Sequence, residues 1–347
     1  MAVHTIEDPY AVAAALSAPE IQRAPYVSRH RQADAERIDG PHVHNSRFAA
    51  INIDGAPHKE LHDLLVRSLE SSYGPPCRYA LAIARERLAE TPRHAEFDIQ
   101  RTVVVPAVAN LIAHILIGAE DDTATLADLM AAVYFAGSTE LDNAVEQVFD
   151  FLRRRLLTAL PDTRRGCIGV LASSVSDVRF AYVSCAAFAT AGFQNLAALT
   201  GSALVHCLSD CPDCRRSPAV DKLHVLRSIS FQQECFAREA SEDVKIGDSW
   251  IRTGDEVRLR LDAADRALEQ IRHETPCPTD DWDSYTFKFG WGPHRCPAAK
   301  VNTDFMFALI KLVKQAHPSA RLLSVRTDED QIVRPVQLLL LSAPVEK

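Results

Sequence analysis

From Phe180 to Val205 the chain carries no charged side chain. A run of that length must be hidden from water, either across a membrane or as the core helix of a large protein. Ser184, Thr190, Gln194, Asn195, Thr200 and Ser202 are spread through it, together with Gly192 and Gly201. That pattern favours a helix buried among other helices. Thr102–Ala119 is also uncharged, and Pro106 and His114 within it point the same way. Such core helices need a sheath, and apolar i, i+3, i+4 spacing or strong helix formers predict one. The expected segments are Ala11–Leu16, His58–Ser72, Arg78–Ala89, Val103–Ile117, Thr123–Phe135, Leu141–Leu160 and Asp177–His206. Gly74-Pro75-Pro76 and Thr91-Pro92 are expected breaks.

Past Arg227 the character changes to short β-like runs at Val244–Ile246, Ser249–Ile251 and Glu256–Leu261. The Thr253-Gly254-Asp255 turn suits a hairpin. Val301–Gln315 returns to helix, and Gln331–Leu341 reads as a closing strand. With 347 residues and 47% hydrophobic content the chain can bury a large core. The expected fold is mainly α with a small β subdomain, in a single domain over 1–347. Its helical body covers about 1–227 and 297–320, and its β-rich, loop-bearing region about 228–296.

Net charge of −8 and the lack of a basic block argue against nucleic-acid binding. Nine cysteines without regular spacing suit a reducing compartment, so a cytoplasmic location is expected. The N-terminal residues show neither a basic region nor an apolar one, hence no expected signal peptide or anchor. Cys207, Cys211 and Cys214 have a spacing that iron–sulfur ligands use, although Pro212-Asp213 among them also reads as an ordinary inter-helix turn. His30, His42 and His44 lie in a polar stretch that reads as solvated loop.

The most specific chemistry lies in residues 287–300. Phe289, Gly292, His294 and Cys296 fall at the spacing F-x-x-G-x-H-x-C, just before an apolar helical segment. Glycines allow close approach of the backbone to a flat ligand. The positive end of the following helix and free backbone N–H groups would stabilise the Cys296 sulfur as an anion. The bland alternative is a free cysteine in a Gly/Pro-rich turn.

This stretch resembles the haem-binding signature of the cytochrome P-450 family. Residues 236–266 look like that family's strand pair and approach to the meander. Phe97-Asp98-Ile99 and Leu111–Asp121 look like a mid-chain helix and its exit turn. Asp54-Gly-Ala-Pro-His58 resembles a turn that supplies a propionate-binding histidine. The resemblance covers roughly Asp8 to Val345 and implies a P-450-like fold, shortened before His58. It implies haem b as cofactor, Cys296 as iron ligand, and Phe289, Gly292 and His294 as loop residues at the haem. His58, Arg238 and His294 are implied as propionate partners.

Several positions depart from that pattern. Where the family has an acid and a threonine for proton delivery to dioxygen, Ala191-Gly192 are followed by Phe193-Gln194-Asn195. An amide is no general acid near neutral pH. Gln194 and Asn195 can orient a ligand by hydrogen bonds, or they are polar residues packed in a buried helix. Phe193 is expected to help shape the pocket, and Thr190 could stand in for the missing hydroxyl. The helix before the strand pair reads His224-Val225-Leu226-Arg227, without the glutamate that the family pairs with its arginine. A buried arginine without a carboxylate is costly, so Arg227 must find carbonyls, another acid or water. The meander arginine that completes the family's triad has no clear counterpart within Pro276–Asp283. His62 stands where an arginine commonly binds propionate, and Ala298 replaces a glycine.

Two functions follow. The first is a haem-thiolate oxidoreductase, a monooxygenase or atypical haem enzyme, acting on a small organic substrate in specialised metabolism. It would take electrons from separate redox proteins if dioxygen is used, because no flavin or ferredoxin module is present. The second is a non-catalytic relative that binds and activates a partner enzyme such as a glycosyltransferase. Neither involves nucleic acid or a membrane.

Overall fold

A computed structural model describes residues 1–23, 50–91, 96–118, 122–137, 139–158, 166–174, 178–209, 222–229, 237–274, 286–327 and 336–342. Cys211, Cys214, the histidines at 30, 42 and 44, and the segment Pro276–Asp283 lie outside these residues. The first elements in chain order are β1 (Val3–Ile6), α1 (Pro9–Ser17), β2 (Ile21–Gln22), α2 (Gly55–Ser72), α3 (Gly74–Glu90) and β3 (Glu96–Asp98). Helices α4 (Val105–Ile117), α5 (Thr123–Phe135), α6 (Leu141–Thr158), α7 (Gly166–Ser174), α8 (Val178–Ala187) and α9 (Phe193–Leu208) follow. Then come α10 (Lys222–Ser228), β4 (Arg238–Ala240), β5 (Val244–Ile246), β6 (Ser249–Ile251) and β7 (Glu256–Leu259). The chain closes with α11 (Leu261–Glu274), α12 (Ala299–Ala316), β8 (Ala320–Thr327) and β9 (Val336–Ser342).

The mainly helical architecture matches the expectation, and most helix positions agree within a few residues. The expected break at Gly74-Pro75-Pro76 falls between α2 and α3, and the prolines lie in the first turn of α3, where a missing N–H costs nothing. Pro106 lies where α4 continues directly from a wide π-helical turn at Gln100–Val104. A second π-helical turn, Phe188–Gly192, separates α8 from α9.

The chain forms two compact units. One comprises Met1–Asp63 and Asp221–Ala299. Its four-stranded sheet has the order β1-β7-β4-β2, with β1 parallel to β7 and the other pairs antiparallel. Its core gathers Val12 and Leu16 of α1, Ile246, Ile251, Val257 and Leu259 of the strands, Leu268 of α11, and Phe287.

The expected hairpin at Thr253-Gly254-Asp255 is not formed. β5 and β6 pair across Gly247, whose φ of +57° supplies the tight turn instead. The chain at 253–255 crosses from that two-stranded sheet to β7. Asp255 is occupied there in seating β1: its carboxylate accepts the Ala2 N–H at 2.6 Å and lies 3.0 Å from His4 Nε2.

The other unit comprises Leu64–Val220 and Lys300–Lys347. Its sheet has the order β3-β9-β8, all antiparallel. The π-turn residue Gln100 is buried there, donating to Tyr134 Oη and to the Ala197 carbonyl, each at 2.9 Å. Tyr134 Oη also accepts the Val336 N–H at 3.0 Å, tying α5 and β9 into one polar knot. Among the described residues one helix, Gln100–Ile117, is long and apolar enough to cross a membrane; 72% of it is buried in the protein, as befits a core helix.

Candidate functional site

The Cys296 loop is built from two short 3-10 turns, Phe287–Phe289 and Gly292–His294. Phe287 is fully buried in the unit's core, and Trp291 packs against the same cluster. Thr286 Oγ1 caps the first turn by accepting the Lys288 N–H. Between the turns Gly290 has φ +71° and Gly292 φ +64°, a left-handed backbone that strains any other residue. At Gly292 there is also no room, since a Cβ would lie 2.7 Å from the Leu16 carbonyl oxygen. The Cys296 N–H then donates to the Phe289 carbonyl at 2.7 Å, so the two ends of the motif meet.

Cys296 is half-buried. Burial pushes its thiol up to about 11, while the Ala298 N–H at the sulfur and the Arg295 charge pull the other way. An anionic sulfur is therefore disfavoured here unless a cation joins it.

Beside this loop stands a cluster of cationic and imidazole groups. His58, near the start of α2, stacks on His294 with ring centroids 3.9 Å apart and planes tilted by 33°. His294 Nε2 lies 2.9 Å from Asp54 Oδ1, and the other Asp54 oxygen accepts the Arg23 N–H at 2.9 Å. Burial lowers the His58 pKa to about 4, with His294 and then His62 adding to the effect. Arg238 on β4 is buried, its charge felt by His58, and its Nε has no hydrogen-bond partner among the described residues. His62 is bound to the loop backbone: its Nε2 donates to the Arg295 carbonyl at 2.7 Å, one residue before Cys296.

The structure thus brings together His58, Arg238, Phe289, Gly292, His294 and Cys296. Asp54 was legible in sequence only as part of a turn, yet it orients His294. Two further acids carried no signal beyond their spacing on α11. Asp265, fully buried, accepts the Phe287 N–H at 2.7 Å and the Thr286 hydroxyl at 3.0 Å, with Lys288 Nζ 3.4 Å away. Glu269 supplies the carboxylate that the position of His224 lacks. It accepts from His224 Nδ1 at 2.9 Å and from Arg227 Nη1 at 3.5 Å, so an acid is among the groups that meet the buried arginine.

Gln194 and Asn195 belong to the other unit, at the start of α9, and both are half-buried. Asn195 Oδ1 is buried without a hydrogen-bond partner among the described residues. Around the π-helical turn Ala187, Phe188, Thr190, Ala191, Gly192, Gln194 and Asn195 all keep some exposure, and they make one open stripe. Phe193 is not on it: the side chain is fully buried, with Tyr134 edge-on at 6.0 Å. Its expected pocket role is therefore replaced by a core role. The Thr190 hydroxyl donates to the Ala186 carbonyl at 2.9 Å and so is already engaged.

No protein-family model matches the sequence, and no curated protein sequence matches it either. Solved structures do. P450BioI in complex with an acyl carrier protein ligated to hexadec-9Z-enoic acid is 21% identical, with TM-score 0.75 over 97% of this chain and 92% of that one. The cytochrome P450 enzyme CxnD, for C–S bond formation in chuangxinmycin biosynthesis, is 17% identical, with TM-score 0.73 over 97% and 87%. Cytochrome P450 MoxA from Nonomuraea recticatena is 14% identical, with TM-score 0.79 over 99% and 90%. The chain has the cytochrome P450 fold.

Proposed function

We propose that the protein is a haem-thiolate oxidoreductase of the cytochrome P450 type, acting on a small organic substrate in specialised metabolism. The observation that carries this reading is the closed Phe289–Cys296 loop, with the Ala298 N–H at the sulfur, standing beside Arg238, His58 and His294. The donor set fits haem b. A buried arginine whose Nε has no partner among the described residues, together with two imidazoles, suits the carboxylates of an anionic macrocycle, and a thiol that resists ionisation alone suits a metal cation. When bound, the haem supplies an iron whose thiolate ligand favours O–O cleavage.

The chain's own residues then have separable roles. Arg238, His58 and His294 bind and orient the carboxylates, with Asp54 fixing the His294 ring. His62 holds the carbonyl next to the ligand cysteine. Glycine at 292 lets the loop pass Leu16 without displacing it. On the open stripe Gln194 and Asn195 position a ligand by hydrogen bonds, but neither amide delivers a proton. Protons come from water or from the substrate, which favours substrate-assisted oxidation or a rearrangement or group transfer over ordinary hydroxylation. Neighbours named for biosynthetic chemistry, CxnD among them, support a setting in specialised metabolism. Where dioxygen is the oxidant, electrons come from separate redox proteins.

The test is the absorption spectrum of the reduced protein under carbon monoxide. The expected result is the red-shifted Soret band of thiolate-bound haem, abolished by Cys296→Ser. The lack of any ionisable side chain among Ala187, Phe188, Ala191, Gln194 and Asn195 favours a second reading, a non-catalytic auxiliary of a partner enzyme such as a glycosyltransferase. Protein that stays colourless when expressed with ample haem, and that co-purifies with a transferase, would establish that reading in place of the first.

A further inference from the structure

Helix α11 has acids at 262, 265 and 269, all turned inward, although a local reading would put such residues on a wet face. Asp262 is matched by Arg266 at 3.0 Å, an ordinary i,i+4 pair. The other two reach out of the helix. Asp265 takes the Phe287 N–H and the Thr286 hydroxyl, the first turn of the cysteine loop. Glu269, one turn further on, takes His224 and Arg227 of α10. Arg227 is only 2% exposed, and losing a carboxylate that meets its buried charge is costly. Residues i and i+4 lie on the same helix face and move together. Anything that fixes Glu269 therefore fixes Asp265, and through it the backbone that runs from Phe287 to the Cys296 N–H.

We propose that Glu269 is a positioning residue for Cys296. By clamping α11 to buried Arg227 it sets the rotation of α11, and that rotation holds the cysteine loop through Asp265. His224 donates to Glu269 Oε1 and so fixes the rotamer that leaves Oε2 for Arg227. The proposal rests on the haem-thiolate reading for its spectral consequence only; the mechanical coupling stands on the contacts themselves.

The experiment compares Glu269→Gln with the double variant Glu269→Gln/His224→Glu, in which a carboxylate returns to within reach of Arg227 at i, i+3. Two quantities are read: hydrogen exchange at the Phe287 and Cys296 amides, and the red-shifted Soret band of the reduced protein under carbon monoxide. Losing a hydrogen bond to a charged partner should speed exchange at both amides by about tenfold or more in Glu269→Gln. Most of the red-shifted band should be lost with it. The double variant should recover both. Unchanged exchange in Glu269→Gln, or a loss that the double variant does not recover, would overturn the proposal. A wild-type protein without the red-shifted band would overturn the haem reading alone, and the exchange arm would still decide the coupling.

Discussion

Asp265→Asn offers a sharp test of how the cysteine loop is held. The amide keeps the shape of the carboxylate and one acceptor oxygen, so the Phe287 N–H can still be met. What is lost is the counter-charge 3.4 Å from Lys288 Nζ, in a pair whose side chains are 1% and 0% exposed. Breaking a buried pair by removing one partner costs about 3–5 kcal/mol. The lysine has one escape, to lose its proton. Its ordinary pKa is 10.5, and burial already lowers it against the raising effect of Asp265. Holding it neutral at pH 7 costs about 5 kcal/mol, at ~1.4 kcal/mol per pH unit, so deprotonation caps the loss near that figure. By pH 9.5 the cap falls to about 1.4 kcal/mol.

The sign follows from proton counting. With its folded pKa depressed, native Lys288 binds fewer protons than the unfolded chain, so the variant gains stability as pH rises towards 10.5. Trp250, Trp282 and Trp291 all lie between Asp221 and Ala299, so denaturant unfolding followed by tryptophan fluorescence reports on that segment. The expected result is a loss of about 3–5 kcal/mol at pH 7 that shrinks to about 1.4 kcal/mol or less at pH 9.5. Adding Lys288→Met should restore most of it, because both charges are then gone. A loss under about 1 kcal/mol at pH 7, or one that pH leaves unchanged, would refute the charge argument.

Gly292→Ala should destabilise the loop by at least ~1–2 kcal/mol from its backbone conformation alone, before the contact with the Leu16 carbonyl is counted. Thermal unfolding would show it. His58 makes stability fall in acid. Its folded pKa of about 4 lies below the ordinary 6.5, so the stability present above 6.5 is lost as pH falls towards 4. The total is roughly 3 kcal/mol, and His58→Gln should flatten that part of the denaturation profile over the same interval.

The cysteine loop was legible because its constraints are local: two glycines and a cysteine at fixed spacing. The long helices were legible because apolar residues at i, i+3 and i+4 announce a buried face. Helix α11 was not. Its buried face is interrupted by Asp265 and Glu269, and what makes those acids buriable, Thr286, Phe287 and Arg227, lies far away in sequence. Burial of charge depends on partners, and partners are set by tertiary contact. Phe193 was misplaced for a related reason. The wide turn at Phe188–Gly192 alters where the next aromatic side chain points, and nothing in the composition of Phe-Ala-Thr-Ala-Gly marks a π-helical turn.

That turn also separates two things that a plain helix would keep locked. Downstream, α9 is pinned in phase at Gly201, where an added Cβ would come within 2.6 Å of Gln100 Oε1 and 3.1 Å of Val336 Cβ. Upstream, α8 has its own neighbours. A π-helical turn holds one surplus residue, and gaining or losing one residue in an α-helix swings all that follows by about 100°. Phe188–Gly192 therefore works as a slip joint. Lineages that lengthen or shorten it by one residue would re-aim the side chains at 188–192 relative to Gln194 and Asn195 without unseating either helix. The lining of the open stripe can thus change by indel as well as by substitution, a route closed to a helix with no slack.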